Sequence, residues 1–308
     1  MIRKIITNLK NKGITFEDIN YVLNLNNKKE LGELYSESSK NNSLDNRIKF
    51  ESNIYYPTIY QIEDNCPTCG YRTIESRRKY TEPYIRKIVE YKLSDIKNYN
   101  IKGINCYNKD TTGIKELEII LDCLEKYNIS IAVRLADYNN IKILKNRNIN
   151  SIIYSSDNNF YNSFNQKTNQ NYDMKEEEVI KYIKEEMNMD ITYELMINYG
   201  ESNEDIFKEI KKLLKYDVDS IQIKGYDPFI DCPEEYNPQY NIEYLSKIIC
   251  ILRLIFPDKE LKIQYATNNN NYFKEFKKLG INTITGIYTP KMSNKLQNSK
   301  LLNIIENL

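Results

Sequence analysis

Residues 191–224 read ITYELMINYGESNEDIFKEIKKLLKYDVDSIQIK. Two short runs rich in β-branched and aromatic residues, at 191–198 and 220–224, enclose a segment at 204–215 with a helical repeat of apolar residues. Runs of the first kind predict strands, and the 3.6-residue period predicts an amphipathic helix. The stretch therefore predicts one strand–helix–strand unit of a parallel sheet.

Similar units recur along the chain from about Asn53 onward. We expect strands near Ile54 to Gln61, Gly103 to Tyr107, Ser130 to Leu135, Asn150 to Tyr154, Ile191 to Asn198, Ser220 to Lys224, Leu261 to Tyr265 and Thr283 to Ile287. We expect helices near Glu82 to Lys97, Ile114 to Lys126, Asn140 to Lys145, Lys175 to Met187, Glu204 to Lys215, Ile242 to Phe256 and Tyr272 to Leu279. About eight such units in ~250 residues are typical of a parallel barrel. The sequence therefore predicts the α/β class and a (β/α)8 TIM-type barrel, closed or partly open.

An open doubly wound sheet is the alternative architecture. No glycine-rich dinucleotide or phosphate loop follows any predicted strand, which favours the barrel. The active site of such a barrel lies among the loops after the carboxyl ends of the strands. Candidate functional residues are therefore sought there.

Residues 1–50 are predicted to form a helical extension, and residues 51–308 the barrel. Thr15 and Asp18 have the spacing of a capping box, which predicts a helix from Glu17 to Leu25. A second helix is expected from Lys28 to Ser38. Nothing in this extension indicates chemistry.

The net charge of the chain does not indicate a particular class of binding partner. The 308 residues carry 44 Lys plus Arg and 43 Asp plus Glu, a net charge of +1. We therefore expect neither a nucleic-acid nor a membrane partner. No apolar run approaches the ~20 residues of a membrane-spanning helix, and the start of the chain lacks the pattern of a secretory signal. A soluble, cytoplasmic protein is expected.

Histidine is absent, which excludes Ser-His-Asp triads, Cys-His dyads and HExxH zinc sites. Six cysteines at irregular spacings fit metal binding or catalysis better than a disulfide framework. Cys123 and Cys250 fall on the apolar faces of predicted helices and are assigned to the core.

The most informative motif is Cys66-Pro67-Thr68-Cys69, directly after the first predicted strand. Two thiolates three positions apart on a turn can bind one metal centre. An iron–sulfur site is the preferred interpretation. A zinc knuckle, a redox-active dithiol and a packed pair of inert thiols are the alternatives. Cys106 and Cys232 follow strands two and six and are both expected to face the barrel mouth, so either can supply a third metal ligand.

Five segments of the sequence, taken together with their order and spacing, form a recognisable pattern. They are 62–72, IEDNCPTCGYR; 196–205, MINYGESNED; 227–233, DPFIDCP; 253–257, RLIFP; and 280–288, GINTITGIY. Together with the helical lead at 13–34, they resemble the cluster loop and barrel segments of radical S-adenosylmethionine (SAM) enzymes. The resemblance is to the biotin synthase-like group, which includes biotin synthase, the hydrogenase maturases, methylornithine synthase and an enzyme of iron-guanylylpyridinol cofactor assembly. It covers nearly the whole chain.

The resemblance implies a [4Fe-4S] cluster and SAM as cofactors. Reductive cleavage of SAM then gives a 5′-deoxyadenosyl radical that starts chemistry on a small-molecule substrate in cofactor biosynthesis, with a protein as the electron donor. The implied metal ligands are Cys66 and Cys69, completed by Cys106 or Cys232. The implied SAM-binding residues are Tyr71, Arg134, Gly200 and Glu201.

The chain departs from the group's CxxxCxxC pattern, because Ile62 stands where the first cysteine belongs. Thr68 replaces the usual aromatic residue, the acidic turn after strand two is missing, and Ser155 and Ser156 stand where relatives often place an acid. A non-catalytic barrel that binds a ligand or partner without a full cluster therefore remains an alternative to the enzyme.

Three charged residues have a structural alternative to a functional role. Arg134 is predicted either to bind the SAM carboxylate or to pair with Asp137 or a neighbouring loop. Glu201 is predicted to bind SAM or to cap the helix that begins near Asn203. Arg253 lies within a predicted helix and is assigned to packing or an ion pair.

Overall fold

The computed structural model describes residues 1–44, 47–56, 81–99, 101–108, 114–135, 138–155, 175–197, 201–225, 241–264 and 272–287. Eight parallel strands in these ranges form a closed barrel in which each strand pairs with its sequence neighbours and β8 pairs with β1. They are β1 Lys49–Tyr56, β2 Gly103–Asn108, β3 Ser130–Arg134, β4 Ser151–Ser155, β5 Asp190–Ile197, β6 Ser220–Gly225, β7 Glu260–Gln264 and β8 Thr283–Ile287. The predicted barrel is confirmed, and it is closed.

Helices connect successive strands. They are α4 Glu82–Tyr99, α5 Ile114–Leu124, α6 Glu176–Lys181, α7 Asn203–Tyr216, α8 Ile242–Ile255 and α9 Phe273–Leu279. The predicted helix at 140–145 is instead a 3₁₀ helix, Tyr138–Leu144, and α6 continues as a π-helix, Tyr182–Glu186. The strand–helix order predicted from the sequence is confirmed.

Strand residues alternate between two environments. In β5, Ile191, Tyr193 and Leu195 belong to the apolar layer between strands and helices, whereas Thr192 and Glu194 point the other way. The bonds of Glu194 to β2 prove that direction, because β2 and β5 are not adjacent and can meet only across the barrel interior. The main core is thus outside the ring of strands, and the ring encloses mostly polar side chains.

The first strand begins earlier than predicted. The prediction started it at Ile54, but β1 begins at Lys49 and includes Glu51 and Asn53. Both side chains accept hydrogen bonds from Asn105 of β2, at 3.1 and 3.2 Å. The polar interior of this barrel gives β1 a charged face, which hides the strand from a search for apolar runs.

Three helices precede the barrel: α1 Ile2–Lys10, α2 Phe16–Leu23 and α3 Lys28–Lys40. All three pack against α8, and α3 also contacts α9. The predicted capping box is confirmed, since Thr15 accepts from the Asp18 N–H and Asp18 accepts from the Thr15 N–H, both at 3.2 Å. Within the described ranges, no helix combines the length and apolar character needed to cross a membrane.

Candidate active site at the carboxyl end of the barrel

The predicted site residues divide into two groups. Cys106, Arg134 and Glu201 are described by the structure. Those that lie outside the described residues are Cys66, Cys69, Tyr71, Gly200 and Cys232, together with Ile62, Thr68, Asp137 and Ser156. The described part of the candidate site is therefore the wall of the barrel.

Glu194 is the centre of a hydrogen-bonded cluster inside the barrel. Its side chain is fully buried. Oε2 accepts from the Tyr107 hydroxyl and from Nε2 of Gln222, each at 3.1 Å, and Oε1 accepts from the Ser155 hydroxyl at 2.8 Å. Nε2 of Gln222 also donates to the Tyr107 hydroxyl. Four strands are thus connected through one carboxylate.

Two cations approach the same carboxylate. Nε of Arg134 lies 3.5 Å and Nζ of Lys224 lies 3.7 Å from Oε1 of Glu194. The Lys224 ammonium also lies 5.4 Å from the centre of the Tyr107 ring, within range of a cation–π interaction. Their side chains remain 20% and 23% exposed, whereas that of Glu194 is 0% exposed. Arg134 is the last residue of β3 and Lys224 the second-to-last of β6, so both lie near the carboxyl end of the barrel.

The electrostatics of this cluster keep Glu194 charged. Burial raises the pKa of its carboxyl group, but Lys224, Arg134 and the hydrogen bonds from Ser155 and Tyr107 outweigh it, so the pKa lies below its usual value. The pKa of Lys224 is also lowered, first by burial and then by Arg134, against the opposing effect of Glu194. Among the described residues, Glu194 is the carboxylate that Arg134 and Lys224 both approach.

A second charged cluster lies toward the amino ends of the strands. Nζ of Lys262 pairs with Oε1 of Glu51 at 2.8 Å, and Glu260 pairs with Lys49 at 3.0 Å. Burial lowers the pKa of Lys262, but Glu51 and Glu260 outweigh it and the pKa is raised. Here two cations meet two anions. The two pairs at the amino ends of the strands therefore balance each other in charge.

The expectation that Cys106 faces the barrel mouth is wrong. Asn105 and Tyr107, on either side of it, bond into the barrel interior, so the intervening side chain points outward. Cys106 is 0% exposed and belongs to the apolar layer beneath the helices. Its thiol is therefore separated from the interior by its own strand.

Arg134 and Glu201 are also placed by the structure. Arg134 pairs with Glu194. The sequence predicted a different partner, either the SAM carboxylate or Asp137 or a neighbouring loop. Glu201 is not the helix cap: α7 begins with a capping box between Ser202 and Asp205. Glu201 instead accepts a hydrogen bond from the Tyr244 hydroxyl, whose pKa is raised, first by burial and then by that carboxylate.

The assignments of Arg253, Cys123 and Cys250 to packing are confirmed. Arg253 is 0% exposed and donates to four backbone carbonyls and to Oδ1 of Asn282 at 2.6 Å. The carbonyls belong to Phe256, Pro257, Lys259 and Gly280. Cys123 and Cys250 are 7% and 0% exposed. None of the three belongs to the barrel interior.

The central residues of the site, Glu194 and Lys224, were not identified from the sequence. Each had a signal: Glu194 is the one charged residue in the predicted strand 191–198, and Lys224 is the one in 220–224. A charge inside a buried strand needs a partner. That rule selects both residues, although it does not say that they pair.

The described residues fit one of the two implied cofactors better than the other. Arg134 and Lys224 suit a carboxylate such as that of SAM. Within the described ranges, no group of three or more Cys, Asp or Glu side chains could hold a metal ion. Thiolate ligands for a cluster would therefore come from Cys66, Cys69 and Cys232.

No family model matches the chain. A curated relative, the uncharacterized protein MJ0785 of Methanocaldococcus jannaschii, is 27% identical over 219 residues. The match covers 69% of this chain and 58% of the relative, so the chain spans less than two thirds of that protein's length.

Two solved structures share the architecture. Methylornithine synthase (PylB) has a TM-score of 0.72 at 17% identity, over 93% of this chain and 87% of that one. The FeFe-hydrogenase maturase HydG from Carboxydothermus hydrogenoformans also has a TM-score of 0.72, at 16% identity, over 99% of this chain and 77% of that one. Both belong to the group that the sequence motifs resemble. This chain therefore shares the barrel fold of radical SAM enzymes.

Proposed function

We propose that this protein is a radical SAM enzyme of the biotin synthase-like group that starts radical chemistry on a small molecule in cofactor biosynthesis. The observation that supports it most is the position of the CxxC motif. In the sequence, Cys66 and Cys69 lie between β1 and α4, and β1 is a strand of a closed parallel barrel. Cofactor sites of such barrels are built at the carboxyl ends of their strands.

In this proposal Cys66 and Cys69 supply two ligands of a [4Fe-4S] cluster, and Cys232, which follows β6, supplies the third. When bound, the cluster supplies the electron that cleaves SAM reductively. Cys106 is removed from the ligand set, because its thiol faces the helices. Tyr71, Gly200 and Glu201 remain proposed contacts of SAM, and Arg134 is proposed to bind a carboxylate at the mouth.

In this proposal, residues of the barrel wall arrange the charged groups at its carboxyl end. Glu194 holds Arg134, Lys224, Tyr107 and Ser155 in one arrangement before any ligand arrives. Such preorganisation lowers the cost of binding a charged group. An electron-donor protein is the proposed partner.

Iron and sulfide analysis of protein purified without oxygen tests the proposal. We expect roughly four irons per chain after reconstitution and 5′-deoxyadenosine when SAM and a reductant are added. Cys66→Ala and Cys69→Ala should abolish iron binding, and Cys232→Ala should do the same. Cys106→Ala and Cys123→Ala are matched controls that should leave the iron content unchanged, since both thiols lie outside the barrel interior.

Two other outcomes would reject the assignment as a radical SAM enzyme. Native protein without iron, in which Ile62→Cys creates cluster binding, identifies a barrel that binds a ligand without a full cluster. A reversible Cys66–Cys69 disulfide in a protein with no iron requirement identifies a dithiol oxidoreductase.

A further inference from the structure

We propose that α2 of the N-terminal extension positions Glu201, the proposed SAM contact that directly precedes α7, and that the docking of α2 on the barrel helices thereby sets the affinity for SAM. Asn20 of α2 is a positioning residue in this arrangement, because it acts on Glu201 through α7. The link to SAM rests on the proposed function. The placement of Glu201 rests on the contacts among α2, α7 and α8.

Glu201 is held by two helices. It directly precedes Ser202, whose capping box with Asp205 fixes the start of α7. It also accepts a hydrogen bond from the hydroxyl of Tyr244, in the first turn of α8. The position of the Glu201 carboxylate therefore depends on the placement of both α7 and α8.

One face of α2 lies along the first turns of α7. Nδ2 of Asn203, the first residue of α7, donates to Oδ1 of Asn20 at 2.9 Å. The rings of Phe16 and Phe207 meet edge to face, with their centroids 6.1 Å apart. Within each helix the two contacting residues are four positions apart, so they share one helix face. This contact begins two residues after Glu201 and fixes the end of α7 that carries it.

The carboxyl end of α2 is attached to α8 through a buried ammonium group. Nζ of Lys247, a residue that is 4% exposed, donates to the carbonyl of Leu23, the last residue of α2, at 3.2 Å. It also pairs with Glu243 at 2.8 Å. A cation is favourable at the carboxyl end of a helix. Tyr244 lies three positions before Lys247, and residues at that spacing are neighbours on a helix surface.

The two attachments of α2 thus lie beside the two contacts that hold Glu201. A side chain that binds a ligand must be kept within about 0.5 Å of its productive position by the residues around it. A shift of α2 would move the first turn of α7 and the neighbourhood of Tyr244 together. The extension, for which the sequence indicated no chemistry, is therefore placed to control one wall of the candidate site.

A fluorine reporter at Tyr244, combined with binding of S-adenosylhomocysteine to the reconstituted full chain, tests the proposal. Fluorotyrosine in place of Tyr244 gives an NMR resonance that reports the bond to Glu201, and Glu201→Gln supplies the reference resonance for the broken bond. We expect Asn20→Leu to move the native resonance toward that reference and to weaken S-adenosylhomocysteine binding about fivefold. Asn20→Asp keeps the acceptor for Asn203 and should retain the native resonance and affinity.

Asn24→Leu is the matched control. The Asn24 amide also donates to Oδ1 of Asn20, at 3.0 Å, but it lies at the end of the same helix and makes no bond to α7. This variant should keep the native resonance and affinity even if it lowers the melting temperature. It therefore separates the positioning of Glu201 from the stability of α2.

The proposal requires both changes in Asn20→Leu. An unchanged resonance, or equal effects of Asn20→Leu and Asn24→Leu, would show that α2 only stabilises the fold and would overturn it. A resonance that moves while the affinity stays native would reject the link to SAM. If the native reconstituted chain does not bind S-adenosylhomocysteine, the proposed function fails, whereas the positioning of Glu201 is still judged by the fluorine resonance.

Discussion

Glu194→Gln should lower the free energy of unfolding by about 3–5 kcal/mol, as breaking a buried ion pair does. The substitution keeps the shape of the side chain but removes the only carboxylate within 4 Å of Arg134 and Lys224 among the described residues. Arg134 and Lys224, which are mostly buried, then lose the carboxylate that both approach. Urea denaturation of the native and variant chains measures the difference.

A second substitution distinguishes charge from packing. Lys224→Met added to Glu194→Gln should recover part of the lost stability, because it removes one of the two cations that have lost Glu194. Glu204→Gln is the control: its partner Lys208 is exposed, so the loss should stay below about 1 kcal/mol. If the double variant is as unstable as the sum of the two single variants, the ion-pair explanation fails.

The pH dependence of stability gives an independent check. The pKa of Glu194 is lower in the folded chain than its ordinary value of 4.5. The charged carboxylate therefore stabilises the fold fully above that ordinary value, and the contribution is lost as pH falls through the lower folded-state pKa. Native protein should lose this stability in acid, whereas Glu194→Gln should lack that component of the acid transition.

Arg253→Met should cost about 3 kcal/mol or more in the free energy of unfolding, since it leaves several buried carbonyls without a donor. Burial lowers the pKa of Arg253 to about 10, so the guanidinium stays charged at neutral pH. Its donors hold together the end of α8, the turn before β7 and the turn before β8. Methionine keeps the apolar stem and removes every one of these bonds. Thermal or urea unfolding measures the loss.

The contact between Arg253 and Gly280 also predicts the effect of a substitution at Gly280. Gly280 has φ +112°, and a Cβ there would lie 2.7 Å from Nε of Arg253, so Gly280→Ala should also destabilise the chain. Arg147→Met is the control, because Arg147 forms partly exposed ion pairs with Asp122 and Glu125. Its loss should be about 1 kcal/mol or less. Equal losses for Arg253→Met and Arg147→Met would contradict the role of the buried guanidinium.

The order of elements could be predicted because it depends on local patterns. The strand predicted at Thr283 to Ile287 matches β8, and the Thr15 capping box forms as its spacing requires. The first strand could not be placed correctly. Glu51 and Asn53 of β1 face a polar interior, and polar residues reduce the apolar signal that identifies a strand.

The site was predicted only in part. The carboxyl ends of the strands were the correct place to look, and Arg134 lies there as expected. The direction of Cys106 was not predicted, since period two fixes that neighbours alternate but not which set faces inward when both faces are buried. The partner of Arg134 was not predicted either, because Glu194 lies on a strand two positions away around the ring.

The sequence by itself determined the alternation of strands and helices in the barrel, the number of strands and their order, because propensity and periodicity act over a few residues. Only the tertiary structure decided that Tyr107, Glu194 and Gln222, separated by up to 115 residues, share one hydrogen-bonded cluster. Closure of the ring brings non-adjacent strands face to face, and no local segment of the sequence predicts that contact.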